Sequence, residues 1–191
     1  MRALNVYLCG VGGQGIGLLS DVLSHACQAA GHFVRGCDTH GLAQRGGVVI
    51  SHLRLGDRIF TPRVPLGEAG LVVALERLEG LRAAVSMLAT SGLLLYYDTA
   101  YQPLHVRLGR AVYPTADDLA ACVAHKNGRL ERVFVPDLPD PRMQNIALLG
   151  RLAALQAIDD VSAAEIERAL QQILPPKLLP ANLALFHRLS R

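Results

Sequence analysis

Residues 5–31 read NVYLCGVGGQGIGLLSDVLSHACQAAG, and the order of residue types in this stretch decides the fold. Asn5–Cys9 and its neighbours form a short apolar run that stops at Gly10, as a buried strand does on meeting a glycine. Five glycines follow between Gly10 and Gly17. Beyond them Leu19, Val22, Leu23, Ala26, Cys27 and Ala30 recur at helical spacing on one face, and Gly31 stands where a helix C-terminus favours glycine. Phe33–Asp38 predicts a second strand. Strand, glycine loop, helix and strand in that order predict a parallel strand pair with a right-handed crossover.

The next stretch, VVISHLRLGDRIFTPRV (residues 48–64), interrupts this alternation. It reads as two extended runs joined at Gly56-Asp57, a hairpin signal, with no helix before it. Alternation resumes with a buried strand at Leu71–Leu75, a helix over Leu78–Leu88 and the strand GLLLYYD. A short extended piece follows at Val106–Val112, then a helix at Ala116–His125 and a strand at Glu131–Val135. From Pro139 the pattern is helical, with one helix over Met143–Ala157. Ser162 and Glu165 have the spacing of a capping box, Pro175-Pro176 stops that helix, and a last helix carries Leu183 and Phe186. The fold class predicted is α/β. It is a Rossmann-like three-layer sandwich with a mostly parallel sheet, an antiparallel hairpin after the second strand and a helical C-terminal segment, in a single domain over residues 1–191.

Composition narrows the function. The 191 residues are 51% hydrophobic and 18% charged, which supports a packed core and opposes disorder. A net charge of +3, with scattered arginines and only Lys126 and Lys177 as lysines, carries no basic stripe for a nucleic acid. No apolar run reaches the roughly 18–20 residues needed to span a bilayer, so no membrane partner is expected. Cys9, Cys27, Cys37 and Cys122 lack C-x-x-C spacing, so neither an Fe–S cluster nor a structural zinc is expected in this chain. The absence of a leader pattern predicts a reducing, cytoplasmic setting with these thiols buried. The chain has no G-x-S-x-G, no H-E-x-x-H and no P-loop. Asp117-Asp118 and Asp159-Asp160 fall at predicted helix starts, where carboxylates favour the helix dipole.

Gly10, Gly12 and Gly15 satisfy G-x-G-x-x-G after a strand and before a helix, with Gly13 and Gln14 inside the loop. In that context backbone N–H groups at the helix N-terminus face a phosphate, and glycine permits close approach. Asp38, 23 residues beyond Gly15, fits loosely the acidic partner of a dinucleotide ribose. It runs directly into HGLAQRGG rather than into a second crossover helix, and Gln14 places a long polar side chain at the loop tip. Tight strand-to-helix packing is the plainer reading of the same glycines. In HGLAQRGG, Arg45 offers a forked cation for phosphate or carboxylate, flanked by His40, Gln44, Gly46 and Gly47. A surface turn with a solvated arginine is the alternative there.

Read together, GVGGQGIGLLSDVLSHA (10–26), HGLAQRGGVVISHLRLG (40–56) and GEAGLVVALE (67–76) resemble the gamma subunit or domain of the 2-oxoacid:ferredoxin oxidoreductases. The form most resembled is the small subunit of the indolepyruvate-type enzymes. The likeness spans nearly the whole chain and includes QNIALLG (144–150) and ANLALF (181–186). It departs after Phe186, where His187-Arg188-Leu189 stands near an expected glycine. The resemblance implies an accessory subunit of an enzyme that oxidatively decarboxylates a 2-oxo acid, with coenzyme A accepting the acyl group and ferredoxin the electrons. Thiamine diphosphate and Fe–S clusters would belong to partner subunits, and this chain would be inactive alone. It would hold no catalytic residue and no metal, and would offer Gly10, Gly12, Gly13, Gln14, Gly15, His40, Gln44, Arg45, Gly46 and Gly47 to coenzyme A. A homodimer in the partner's absence is left open. On residues alone, an independent NAD- or FAD-binding oxidoreductase and a non-catalytic ligand-binding or scaffold protein also stand.

Overall fold

The computed structural model describes residues 3–40, 47–57, 59–102, 104–110 and 112–191. β1 (Leu4–Val11) sends Val6 and Leu8 into one hydrophobic layer and Tyr7 and Cys9 into another, the alternation of a strand buried on both faces. α1 (Ile16–Ala29) follows the glycine loop and ends at Gly31, whose φ of +88° provides the left-handed turn.

The crossover from β1 through α1 to β2 forms, but the two strands are not the adjacent pair expected. β2 (Val34–His40) and β3 (Val48–Leu55) pair antiparallel, from Val34 opposite Leu55 to His40 opposite Val49. β3 also pairs antiparallel with β1, Leu4 opposite Leu55 and Val11 opposite Val48. β1 and β2 therefore run the same way but are not neighbours, because β3 lies between them. The antiparallel hairpin after the second strand is the β2–β3 pair itself, and not a pair of arms around Gly56-Asp57. Both edges of β3 are taken, and the segment after Gly56 carries Pro62 and Pro65, which have no N–H for a ladder. That segment instead buries Ile59 and Val64, and the Val64 N–H donates to Nδ1 of His52 at 3.2 Å.

β4 (Ala69–Ala74), α2 (Arg77–Ser86) and β5 (Leu88–Tyr97) restore the alternation, and α4 (Ala116–His125) leads to β6 (Arg129–Val133). The sheet order is β2-β3-β1-β4-β5-β6, with β1, β4, β5 and β6 parallel. The extended piece predicted at Val106–Val112 is instead the one-turn helix α3 (Leu104–Arg107), closed by the Gly109 N–H donating to the Val106 carbonyl at 2.9 Å. From β1 the chain winds towards β2 in one direction, and from β4 towards β6 in the other. With one crossover hand, that reversal puts α1 on one face and α2 with α4 on the opposite face.

A 3-10 turn (Pro141–Met143) precedes α5 (Gln144–Ala154), which stops short of Ala157 because the chain turns at Gln156 (φ +47°). α6 (Ala163–Ile173) starts from the Ser162/Glu165 capping box as predicted, and α7 (Leu179–Leu189) completes the chain. These three helices pack with α1 around Leu8, Ile146, Leu170 and Phe186. Asp118 does cap α4 with Thr115, whereas Asp160 sits in a left-handed turn (φ +62°) ahead of the Ser162 cap. Cys9 and Cys27 are buried as expected, while Cys37 and Cys122 are only half-buried.

Candidate functional site

The neighbouring strands β1 and β4 lead into crossovers of opposite direction, so the crevice beyond their carboxyl ends is the topological switch point where open α/β sheets bind ligands. Here that crevice is filled by a side chain. Gln14 is 4% exposed and turns inward rather than standing at the loop tip. Its Oε1 accepts from the Val11 N–H at 2.8 Å, and its Nε2 donates to the Leu75 carbonyl at 2.6 Å and to Oε1 of Gln144 at 3.0 Å. The amide thereby ties the loop after β1 to the residue after β4 and to the start of α5. Gly10 permits this, since a Cβ there would meet Gln14 Oε1, Ile16 Cδ1 and Leu75 Cβ at 3.0 Å each.

Asn145 holds the other end of the loop. It is 2% exposed, and its Nδ2 donates to the Gly15 carbonyl at 3.3 Å while the Ile146 N–H donates to its Oδ1 at 2.8 Å. Gly15 has φ +81°, and a Cβ at that position would run into the Asn145 amide. By its residues alone QNIALLG has no role beyond likeness. Two adjacent amides at the start of an apolar helix were the available signal, because buried amides must find partners.

Among the described residues, the outward side of the loop is open. Built Cβ atoms at Gly13 (φ +104°) and Gly17 meet nothing within 4 Å. α1 begins at Gly15 with no side-chain cap and no acidic residue in its first turn. By contrast, α2, α4 and α6 each begin with a capping side chain and carry Glu79, Asp118 or Glu165 in the first turn. Helices α5 and α7 share the uncapped start of α1 but begin at Met143 and Leu178 rather than at a glycine. Free N–H groups and the positive end of the helix dipole, with glycine in front of them, suit an anion.

The second predicted loop is joined to the first: the Gly12 N–H donates to the Gly47 carbonyl at 2.8 Å. His40 ends β2, paired across from Val49. Gln44, Arg45 and Gly46 lie outside the described residues. Asp38 does not take the ribose position of a dinucleotide site. It lies on β2, two strand spacings (about 10 Å) from β1, and its carboxylate accepts from the Ser51 hydroxyl. The inserted β3 and the Gln14-filled crevice both oppose the dinucleotide reading.

Buried ionisable groups lie behind the crevice on the α2 face. Glu76, the N-cap of α2, has Oε2 accepting from the Glu79 N–H at 2.9 Å, and burial with the nearby Glu79 charge raises its pKa. Burial first, then Glu79 and Glu76, push the Cys9 thiol up, so Cys9 is no thiolate nucleophile. A second polar cluster that the sequence reading missed joins Arg77 and Arg132 to Asp98.

The fold and site define an α/β chain whose glycine loop opens an uncapped helix and whose switch-point crevice, among the described residues, is filled by Gln14. The pyruvate ferredoxin/flavodoxin oxidoreductase family model matches residues 5–189, and the chain belongs to that family. Indolepyruvate oxidoreductase subunit IorB of Thermococcus kodakarensis is 31% identical, over 97% of this chain and 94% of its own length. Pyruvate oxidoreductase subunit PORC of Thermotoga maritima shares the fold, with a TM-score of 0.69 at 20% identity, covering 100% of this chain and 96% of that one. A 2-oxoglutarate:ferredoxin oxidoreductase of Magnetococcus marinus, solved with 2-oxoglutarate, coenzyme A and succinyl-CoA, superposes with a TM-score of 0.68 at 17% identity. That match covers 100% of this chain and 31% of the larger one.

Proposed function

We propose that this chain is the small accessory subunit of a 2-oxoacid:ferredoxin oxidoreductase of the indolepyruvate type, and that its glycine loop holds the phosphates of coenzyme A. The single observation that carries the ligand reading is the uncapped N-terminus of α1, open at Gly13 and Gly17, on a loop held from behind by Gln14 and Asn145. The residues fit a phosphate: backbone donors, no opposing carboxylate in the first turn and, among the described residues, no side chain in front. Coenzyme A is bound in the Magnetococcus marinus relative, which supports this choice of ligand. Arg45, two residues from the Gly47 that is tied to Gly12, is proposed as the second phosphate contact. Thiamine diphosphate and Fe–S clusters are assigned to partner subunits, the electrons to ferredoxin, and the isolated chain is inactive on this reading.

The loop's own contribution is binding and orientation. Fixed N–H donors need no reorganisation when the phosphate arrives, so the thiol end of the ligand can be presented to the partner in a set position. Gly17→Asp tests this in the complete enzyme. An aspartate in the first turn of α1 stabilises the helix by roughly 0.5–1 kcal/mol, while its charge occupies the phosphate position. Expected are an unchanged or higher Tm and a KM for coenzyme A raised about tenfold or more. A stable variant with an unchanged coenzyme A KM sinks the assignment.

A further inference from the structure

At the carboxyl ends of β5 and β6 one carboxylate serves two guanidiniums. The Asp98 side chain is 3% exposed, and its Oδ1 accepts from Arg77 Nε at 2.8 Å and Nη2 at 2.5 Å. Its Oδ2 accepts from Arg132 Nε at 2.6 Å and Nη2 at 2.6 Å. One negative charge against two positive ones leaves the cluster with a surplus cation. The two arginines share that surplus unequally. Arg77 is 22% exposed, donates from Nη1 to the Pro114 carbonyl at 3.2 Å and lies over the Tyr113 ring at 5.8 Å. Arg132 is 59% exposed and presents its guanidinium to solvent.

Exposed apolar and aromatic side chains stand on the segments joined to this cluster. Phe134, the first residue beyond β6, follows Arg132 by two residues and is 58% exposed. Val112 (95% exposed) and Tyr101 (44%) project from segments fixed to the same cluster. The Arg77 N–H donates to the Thr99 carbonyl at 3.2 Å, Tyr113 Oη to that carbonyl at 3.4 Å, and the Tyr101 N–H to Glu76 Oε1 at 3.4 Å. A lone exposed phenylalanine is ordinary. Arginine and aromatic side chains gathered on pinned backbone have the composition of an interface centre.

We infer that this face docks the partner subunit of the oxidoreductase, which presents a carboxylate to Arg132 and apolar side chains to Phe134 and Val112. The inference rests on the small-subunit reading above. The excess guanidinium selects an acidic partner, and a buried carboxylate–arginine contact needs the forked geometry that Arg132, already held by Asp98, offers. The face also lies at the same end of the sheet as the glycine loop, about 14–15 Å away by three strand spacings. A subunit seated there would stand beside the ligand the loop holds.

The test uses the full chain and the purified thiamine-bearing subunit of the same organism, with the dissociation constant measured by analytical ultracentrifugation at low and high salt. Arg132→Gln and Phe134→Asp are compared with Leu66→Asp, a 76% exposed site on the connection leading into β4. Expected are a tenfold or greater loss of affinity for both face variants, a shallower salt dependence for Arg132→Gln, and unchanged binding for Leu66→Asp. Phe134 makes no bond within the cluster, so its variant reports on docking even if Arg132→Gln disturbs the fold. If the unaltered chain binds and both face variants bind equally well, the surface is wrong and the small-subunit reading survives. If the unaltered chain fails to bind, both fall.

Discussion

Gln14 and Gln144, 130 residues apart in sequence, meet through a hydrogen bond of 3.0 Å that closes the switch-point crevice. The same Gln14 amide serves the Val11 N–H and the Leu75 carbonyl, so one side chain joins the β1 loop, the β4 loop and α5. Gln14→Ala removes all three contacts in a buried place and is expected to cost about 2–4 kcal/mol in urea unfolding. In a double-mutant cycle with Gln144→Ala the losses should be non-additive, since both delete one bond. A cost below about 0.5 kcal/mol would mean that water replaces the amide.

Gly15 and Gly13 both have positive φ but differ in surroundings, so alanine should separate conformational strain from steric conflict. Gly13→Ala has strain alone and should cost roughly 1–2 kcal/mol. Gly15→Ala adds collision with the Asn145 amide and should cost more. Asn145→Ala should recover part of that excess in the double variant, a rescue readable in thermal melts.

The β1–α1 unit was readable because the strand run, the glycines and the helical spacing of Leu19 to Cys27 all agree locally. The position of β3 was not, since a local pattern states that residues 48–55 are extended but not which strands they join. Pro62 and Pro65 were the available warning against a second hairpin arm. Gln14 was misplaced for a related reason. Its partners Leu75 and Gln144 lie 61 and 130 residues away, so a polar residue in a glycine loop reads as exposed. The Arg77–Asp98–Arg132 cluster is likewise assembled by the sheet and has no spacing of its own.

Glu76 gives a pH dependence of reversed sense. Burial raises its carboxyl above the ordinary 4.5, with the Glu79 charge adding to the shift. A raised folded-state pKa means that the native chain binds the extra proton, so its stabilising contribution is complete below the unfolded value and is lost as pH rises through the folded one. Glu76→Gln keeps an acceptor for the Glu79 N–H and removes the titration. The stability difference between the variant and the unaltered chain should therefore move in the variant's favour as pH rises from 4 upwards, followed by denaturant midpoints. A constant difference across that range would show that Glu76 does not titrate in it.

Asp98 ranks its two arginines. Arg77 is the less exposed, stacks on Tyr113 and donates to Pro114, whereas Arg132 faces solvent. An exposed ion pair contributes about 0–1 kcal/mol because water screens it, so Arg132→Ala should alter stability little. Arg77→Ala removes a partly buried fork and frees the Pro114 carbonyl, for an expected cost of about 1–3 kcal/mol. Asp98→Asn should exceed both, since two guanidiniums then face each other without a charge between them. That order, Asp98→Asn above Arg77→Ala above Arg132→Ala, is checked by equilibrium unfolding of the three variants. Added salt should narrow the gap for Asp98→Asn by screening the repulsion it exposes. An Arg132→Ala cost as large as that of Arg77→Ala would place the stabilising role in the exposed arm of the cluster, and would leave Arg132 less free to serve a partner.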